Sequence, residues 1–157
     1  MTAVFAALLS FDASAAELKV PLCTTQDCGP MVLVGRLNKS DRCCGFQNLS
    51  MPWVAQVYAN KNECLWLRVT EQGSDSEIVV VAPATARAWR NDSSKDPACK
   101  TCPLLKIITS AQEAGWFLVQ VNQNQGAALD AEFTLEYGRY KSNNPICSSP
   151  STPLHAP

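Results

Sequence analysis

Short runs of alternating apolar and polar residues dominate the middle of the chain, and this alternation predicts β-strands that bury one face. In the run 64–70, Leu65, Leu67 and Val69 fall on one side of the strand and their neighbours fall on the other. The run 77–82 is continuously apolar, as expected for a strand that is covered on both faces. We predict strands over residues 31–37, 53–58, 64–70, 77–82, 86–90, 104–109, 115–122 and 131–137.

Turns rich in Asn, Asp, Gly and Ser separate these runs, at residues 60–62, 72–75, 91–94 and 122–126. In the last two strands we expect the apolar residues at every second position to face inward, namely Phe117, Val119, Val121, Phe133, Leu135 and Tyr137. The helical signal is confined to one turn over 110–114, which Gly115 ends. Many short strands at even spacing predict a β-sandwich or barrel, in which the run 31–37 supplies an edge strand.

The N-terminus carries the pattern of an export signal. Residues 3–11 form an apolar run too short to span a bilayer, and the small residues 13–16 follow it. We predict cleavage before Ala16 or Glu17, although no Lys or Arg precedes the apolar run. The alternative is an ordinary N-terminal strand or helix.

Composition divides the chain into four segments. We predict a signal peptide over 1–16, a Cys-rich segment that packs on the sandwich over 17–52, the sandwich itself over 53–140, and a polar tail rich in Pro and Ser over 141–157. Within the tail, residues 148–157 are expected to be extended or disordered.

The cysteines favour an oxidising compartment. They number eight and all follow the predicted cleavage site: Cys23, Cys28, Cys43, Cys44, Cys64, Cys99, Cys102 and Cys147. An even number of this kind in an exported chain predicts up to four disulfides. The protein is therefore expected to be secreted, periplasmic or exposed at the cell surface.

A partial pairing is predicted from spacing. Cys99 and Cys102 are expected to close a short disulfide loop. Neighbours Cys43 and Cys44 point in different directions along an extended chain, and one of them is expected to pair with Cys64. The remaining cysteines, among them Cys147, would tie both ends of the chain to the sandwich.

Charge and hydropathy exclude some functions. The net charge is −1, and charged residues make up 17% of the chain, below the usual ~25%. No basic face is available to displace counterions from a nucleic acid, so we predict no nucleic-acid partner. No apolar run reaches the ~18–20 residues of a membrane-spanning helix, so no transmembrane segment is predicted.

A family resemblance covers residues 53–140. An ordered series of motifs carries it: CLWLRVT, SDSEIVVVAP, WRND, GWFLVQVNQNQGA and AEFTLEYGRY. The series resembles the strands and turns of the bacterial pre-peptidase C-terminal domain, although most members of that family have few cysteines. The resemblance implies an all-β, antiparallel, jelly-roll-like sandwich, here with a disulfide-rich N-terminal segment. Such domains are appendages of secreted enzymes that serve attachment, secretion or assembly, and some bind calcium.

The usual bases of hydrolytic catalysis are missing. The single histidine, His155, lies in the tail, and no Gly-x-Ser-x-Gly elbow occurs. A carboxylate-pair hydrolase is an alternative that would draw on Asp75, Glu77, Asp92, Asp96, Asp130, Glu132 and Glu136. We predict a protein that is not an enzyme.

The CxxC motif formed by Cys99 and Cys102 leaves two alternatives to a structural disulfide. A redox pair needs a helix N-terminus to stabilise the thiolate, but the apolar residues that follow predict a strand. A zinc site needs a second close pair, which either Cys23 with Cys28 or Cys43 with Cys44 would supply, although vicinal cysteines rarely chelate one ion well.

Tryptophans are the candidate ligand platform. Trp66 and Trp116 fall on the strand faces opposite the inward residues, and Trp89 adjoins Arg90. Exposed aromatic rings stack on sugar rings, so the three define a candidate carbohydrate surface. The alternative is burial in the core or in an interface with another subunit.

Acidic loops are the candidate cation sites, and no other cofactor is predicted. Ca²⁺ takes several oxygen ligands. Candidate ligands are Asp75 with Glu77, and Asn91 with Asp92 and Asp96. The alternative is that these residues stabilise their own turns.

Together these patterns predict a non-catalytic, exported sandwich that acts in extracellular binding, adhesion or assembly. The expected partner is another protein or a second copy of the chain. A subunit of a self-assembling surface filament or layer, and a carbohydrate-binding module, are the alternatives within that class. An oxidoreductase built on the CxxC motif or a carboxylate hydrolase is the alternative outside it.

Overall fold

The computed structural model describes residues 18–19, 27–37, 52–70, 72–73, 75–93, 99, 101–123 and 131–154. These ranges contain β-strands and a single turn of 3-10 helix, which confirms the all-β class. The elements are β1 (Leu18–Lys19), β2 (Cys28–Leu37), β3 (Trp53–Ala59), β4 (Glu63–Thr70), β5 (Ser76–Val81), β6 (Ala88–Asn91), β7 (Leu104–Ile108), β8 (Gly115–Gln123), β9 (Ala131–Lys141) and the 3-10 helix Pro145–Cys147.

The strands form two sheets that pack face to face. The first sheet has the order β1-β3-β8-β5-β6 and the second the order β2-β9-β4-β7. Four antiparallel pairs are nested, with β2 on β9, β3 on β8, β4 on β7 and β5 on β6. This nesting is that of one long hairpin folded into two layers, the jelly-roll arrangement. The predicted jelly-roll-like sandwich is confirmed, and β2 is an edge strand, as the sequence predicts.

The core lies between the sheets and contains the predicted inward residues. The inward residues of β4, β8 and β9 are all at most 2% exposed: Leu65, Leu67, Val69, Phe117, Val119, Val121, Phe133, Leu135 and Tyr137. Alternation thus identified the buried face correctly in all three strands.

Strand β5 differs from its prediction. Ile78 and Val80 are fully buried, but Val79 and Val81 point to the outer face and are only partly covered. The described residues add no third layer over that face, so complete burial of β5 on both sides was wrong.

The C-terminal segment is extended and attached to the sandwich. The N–H of Ser151 donates to the carbonyl oxygen of Lys106 at 2.8 Å, and the N–H of Leu154 donates to the carbonyl oxygen of Ala88 at 2.7 Å. Lys106 lies on β7 and Ala88 on β6, the edge strands of the two sheets on that side. The segment therefore bridges both edges and is extended over residues 148–154, which is one of the two states expected for the tail, while His155 lies outside the described residues.

The structure describes both cysteines of two disulfides. Cys99 pairs with Cys102, as predicted, but Cys64 pairs with Cys147 and not with a member of the vicinal pair. The turn of 3-10 helix at Pro145–Cys147 brings Cys147 over β4, and local spacing gave no sign of that long-range contact. Cys28 is also disulfide-bonded. Cys23, Cys43 and Cys44 lie outside the described residues.

Candidate functional site

Strand β2 presents apolar side chains at a sheet edge. Val32 is 60% exposed and Val34 is 74% exposed. They lie on the outer face with Arg36, which forms an ion pair with Glu132 at 4.0 Å. Among the described strands β2 pairs only with β9. We call Val32, Val34, Arg36 and the backbone between them the β2 edge.

The inner face of β2 is held firmly against the core. Met31 and Leu33 pack on the core, and Leu37 is buried. Gly35 lies directly against the ring of Phe133, where a Cβ atom would overlap ring atoms. The outward direction of the two valines is therefore set by the packing of the opposite face.

A second surface covers the outer face of the first sheet. The register places Tyr58 opposite Trp116, and one step along the strands places Leu118 between Gln56 and Val81. The next step places Gln120 between Val54 and Val79. All are partly exposed. We call this surface the aromatic–amide face; its members are Val54, Gln56, Tyr58, Val79, Val81, Trp116, Leu118, Gln120 and Asn122.

The two rings of this face are fixed in place. Tyr58 and Trp116 meet edge to face, with centroids 5.5 Å apart and planes at 73°. The guanidinium carbon of Arg139 lies 5.4 Å from the Tyr58 centroid. Arg139 is itself held by Glu63, to which its Nε and Nη2 donate at 2.9 and 3.1 Å. Both partners are buried, so the cation beside Tyr58 is neutralised.

The three predicted tryptophans are not brought together. Trp66 does point away from the core, but Tyr140 and the Cys64–Cys147 disulfide cover it, and it is only 8% exposed. Trp89 is 1% exposed and belongs to the core. A sugar platform that includes Trp66 and Trp89 is therefore wrong, since neither ring is accessible. Trp116 alone among the three remains partly exposed.

The candidate calcium ligands are engaged in other contacts. Glu77 forms an ion pair with Arg90 at 2.6 Å, and the Oδ1 atom of Asn91 accepts the N–H of Leu104 at 3.0 Å. Asp96 lies outside the described residues. In the ranges that the structure describes, no group of three or more His, Cys, Asp or Glu residues is placed to hold a metal ion.

Glu113 is a buried carboxylate that sequence reasoning missed, because a Glu in a turn ordinarily faces water. Its oxygens accept the N–H of Ser110 at 2.8 Å, the hydroxyl of Thr85 at 2.9 Å and the Arg87 guanidinium at 3.1 Å. Burial raises the pKa of Glu113, but these hydrogen bonds and the charge of Arg87 outweigh it, so the pKa lies below its ordinary 4.5. The ionised carboxylate ties the β5–β6 and β7–β8 loops together, which is a structural role.

The CxxC motif is a disulfide in the loop before β7. Cys102 is buried, and the strand Leu104–Ile108 follows it at once, as predicted. In the described residues around this pair, no helix N-terminus is present to stabilise a thiolate.

Comparison with known proteins finds no relative of this chain: no family model, no curated protein and no solved structure matches it. The resemblance to the pre-peptidase C-terminal domain stays a prediction. In the described residues no helix is long and apolar enough to cross a membrane.

Proposed function

We propose that this protein is a non-catalytic, exported binding and assembly module that pairs strands through its β2 edge, and that the strand it pairs with belongs to a second copy of the chain. The observation that carries the proposal is the exposure of Val32 and Val34 on an edge strand. Strand addition gives affinity through backbone hydrogen bonds and specificity through alternate side chains.

Leaving two valines in water is unfavourable. Burying a Val side chain fully stabilises a protein by about 1.5–3 kcal/mol. An exposed apolar edge strand is also a general hazard, which proteins reduce with charges, prolines or covering segments. Retaining Val32 and Val34 at the surface is therefore best explained by a partner that covers them.

The opposite side of the sandwich shows how this fold covers an edge. There the C-terminal segment hydrogen-bonds to Lys106 and Ala88 on the two edge strands. No described segment covers the β2 edge in this way. The contrast supports β2 as the contact surface.

The sequence of β2 suits a two-fold symmetric contact. An antiparallel pair of β2 strands centred on Leu33 places Val32 of one copy opposite Val34 of the other. It places Arg36 opposite Pro30 and keeps the two arginines apart. Such a self-complementary contact is the usual form of a homodimer interface.

The disulfides support an exported location, whether secreted, periplasmic or cell-surface. Disulfides persist in oxidising compartments and are rare in the cytosol of mesophiles. An appendage role in attachment or assembly is also what the resemblance to the pre-peptidase C-terminal domain implies.

Light scattering coupled to size exclusion tests the proposal over a wide range of protein concentration. The wild type should show a dimer whose fraction rises with concentration, and the Val32→Lys/Val34→Lys variant should stay monomeric. Leu154→Lys is the matched control, because Leu154 is an exposed apolar residue on the opposite side. A wild type that is monomeric throughout, or a dimer that the double variant retains, would contradict the proposal.

A further inference from the structure

We infer that the aromatic–amide face is a binding site for a neutral carbohydrate chain. The observation is the juxtaposition of a fixed Tyr58–Trp116 pair with three amide side chains, Gln56, Gln120 and Asn122, on the outer face of the first sheet. This face is distinct from the β2 edge and does not depend on the proposed assembly.

The aromatic pair is preorganised. Backbone pairing sets Tyr58 and Trp116 directly opposite each other, and the edge-to-face contact fixes their relative orientation. Arg139 holds Tyr58 from a further side, and Glu63 holds Arg139. A ligand that stacks on this pair therefore finds rings whose freedom is already restricted, which reduces the entropy lost on binding.

The amides have unused hydrogen-bonding capacity. Within the part of the chain that the structure describes, the side chains of Gln56, Gln120 and Asn122 make no hydrogen bond to protein atoms. Each amide carries two donors and an acceptor. A sugar hydroxyl is likewise both donor and acceptor, so each amide can pair with it in either direction.

The spacing of these groups suits a chain of sugars. Residues on one strand face recur about every 7 Å, since a strand rises about 3.4 Å per residue. Gln56 lies one such step from Tyr58, and Gln120 lies two steps from Trp116, or roughly 14 Å. The face therefore offers a stacking position followed by rows of polar contacts, as a short oligosaccharide requires.

Charge and amide content select the class of ligand. Two ion pairs lie at the margins among the described side chains, Glu77 with Arg90 and Glu63 with Arg139, and because their charges neutralise each other the face favours an uncharged ligand. An apolar protein surface would bury the free amides without partners, at about 1–3 kcal/mol for each unsatisfied group. A hydroxyl-rich neutral ligand avoids that penalty.

Native affinity electrophoresis tests this inference with soluble polysaccharides cast in the gel. The neutral probes are mixed-linkage β-glucan, xyloglucan, galactomannan and amylopectin, and the acidic comparison is alginate. At least one neutral probe should retard the wild type, and Trp116→Ala should weaken the apparent affinity at least tenfold. The Leu154→Lys variant changes an exposed residue outside both this face and the β2 edge, and it should keep the wild-type retardation.

A second variant guards against loss of fold, because Trp116 packs against Tyr58. Gln56→Ala/Gln120→Ala removes only side-chain amides and should weaken retardation about fivefold or more, with an unchanged thermal unfolding midpoint. Retardation by none of the four neutral probes overturns the inference. Retardation by alginate alone also overturns the inference. So does retardation that Trp116→Ala and Gln56→Ala/Gln120→Ala both retain.

Discussion

Cys64 and Cys147 are separated by 83 positions in the sequence, and a disulfide joins them with their Cα atoms 6.2 Å apart. The bond fastens the C-terminal segment to β4 in the interior of the second sheet. The same bond, together with Tyr140, covers Trp66 on the outer face of that sheet. One covalent contact therefore both holds the C-terminal segment on β4 and helps to bury Trp66.

Removing this disulfide should destabilise the protein strongly. For a loop of this length, chain entropy predicts a loss of about 4–5 kcal/mol in the Cys64→Ser/Cys147→Ser variant. Urea unfolding under non-reducing conditions measures the change. The matched control, Cys99→Ser/Cys102→Ser, opens a loop with a separation of only 3 and should lose about 2 kcal/mol. Equal losses in the two variants would contradict a dominant role for loop length.

Glu113 should make the protein sensitive to acid. Because its pKa is lowered in the folded state, the stability it contributes is present above pH 4.5 and is lost as pH falls through the folded pKa. Glu113→Gln should lose about 1.5–3 kcal/mol at pH 7, the range for hydrogen bonds to a charged group, and should show a flatter dependence on pH below 4.5. Urea midpoints measured from pH 3 to pH 7 give both quantities.

The control for Glu113 is Glu132→Gln, which removes an exposed carboxylate paired with Arg36 at 4.0 Å. An exposed pair of this kind contributes about 0–1 kcal/mol, so the control should resemble the wild type at every pH. An acid profile that Glu113→Gln leaves unchanged would show that other groups cause the loss.

Gly35 should tolerate no side chain while Phe133 remains. In Gly35→Ala the new methyl group would overlap the Phe133 ring, and overpacking of this kind costs about 1–3 kcal/mol. Phe133→Leu should relieve the overlap, so Gly35→Ala should cost little when it is added to Phe133→Leu. Thermal unfolding of the four proteins in this cycle measures the coupling.

The control for Gly35 is Gly73→Ala, where the nearest atom to a new Cβ, on Ala131, is 3.5 Å away, an ordinary contact. We expect a change within about 0.5 kcal/mol. Additive effects of Gly35→Ala and Phe133→Leu would rule out the overlap as the cause.

Tyr137 and Tyr140 should make stability fall in alkali. Burial raises the pKa of both hydroxyls above their ordinary 10.0. Their contribution is therefore present below pH 10 and is lost as pH rises through the folded pKa values. The Tyr137→Phe/Tyr140→Phe variant should lose less stability than the wild type between pH 9 and pH 11, measured by urea midpoints. Parallel profiles for the two proteins would exclude these tyrosines as the cause.

The candidate surfaces were only partly foreseeable. Trp116 and the edge position of the run 31–37 followed from alternation and order along the chain. The pairing of Trp116 with Tyr58 depends on the register between β3 and β8, which a single sequence does not specify. The buried role of Glu113 depends on Arg87 in another loop, 26 positions away, and nothing near Glu113 in the sequence signals it.

By itself the sequence determined the class of fold and the identity of the inward residues. Both depend on the two-residue period of a strand, which each segment displays locally at residues such as Leu65 and Phe117. Only the tertiary structure decided that Cys64 meets Cys147 and that Trp66 is covered. Those outcomes depend on contacts between segments far apart in the chain, and such contacts stabilise the protein only once the sheets have packed.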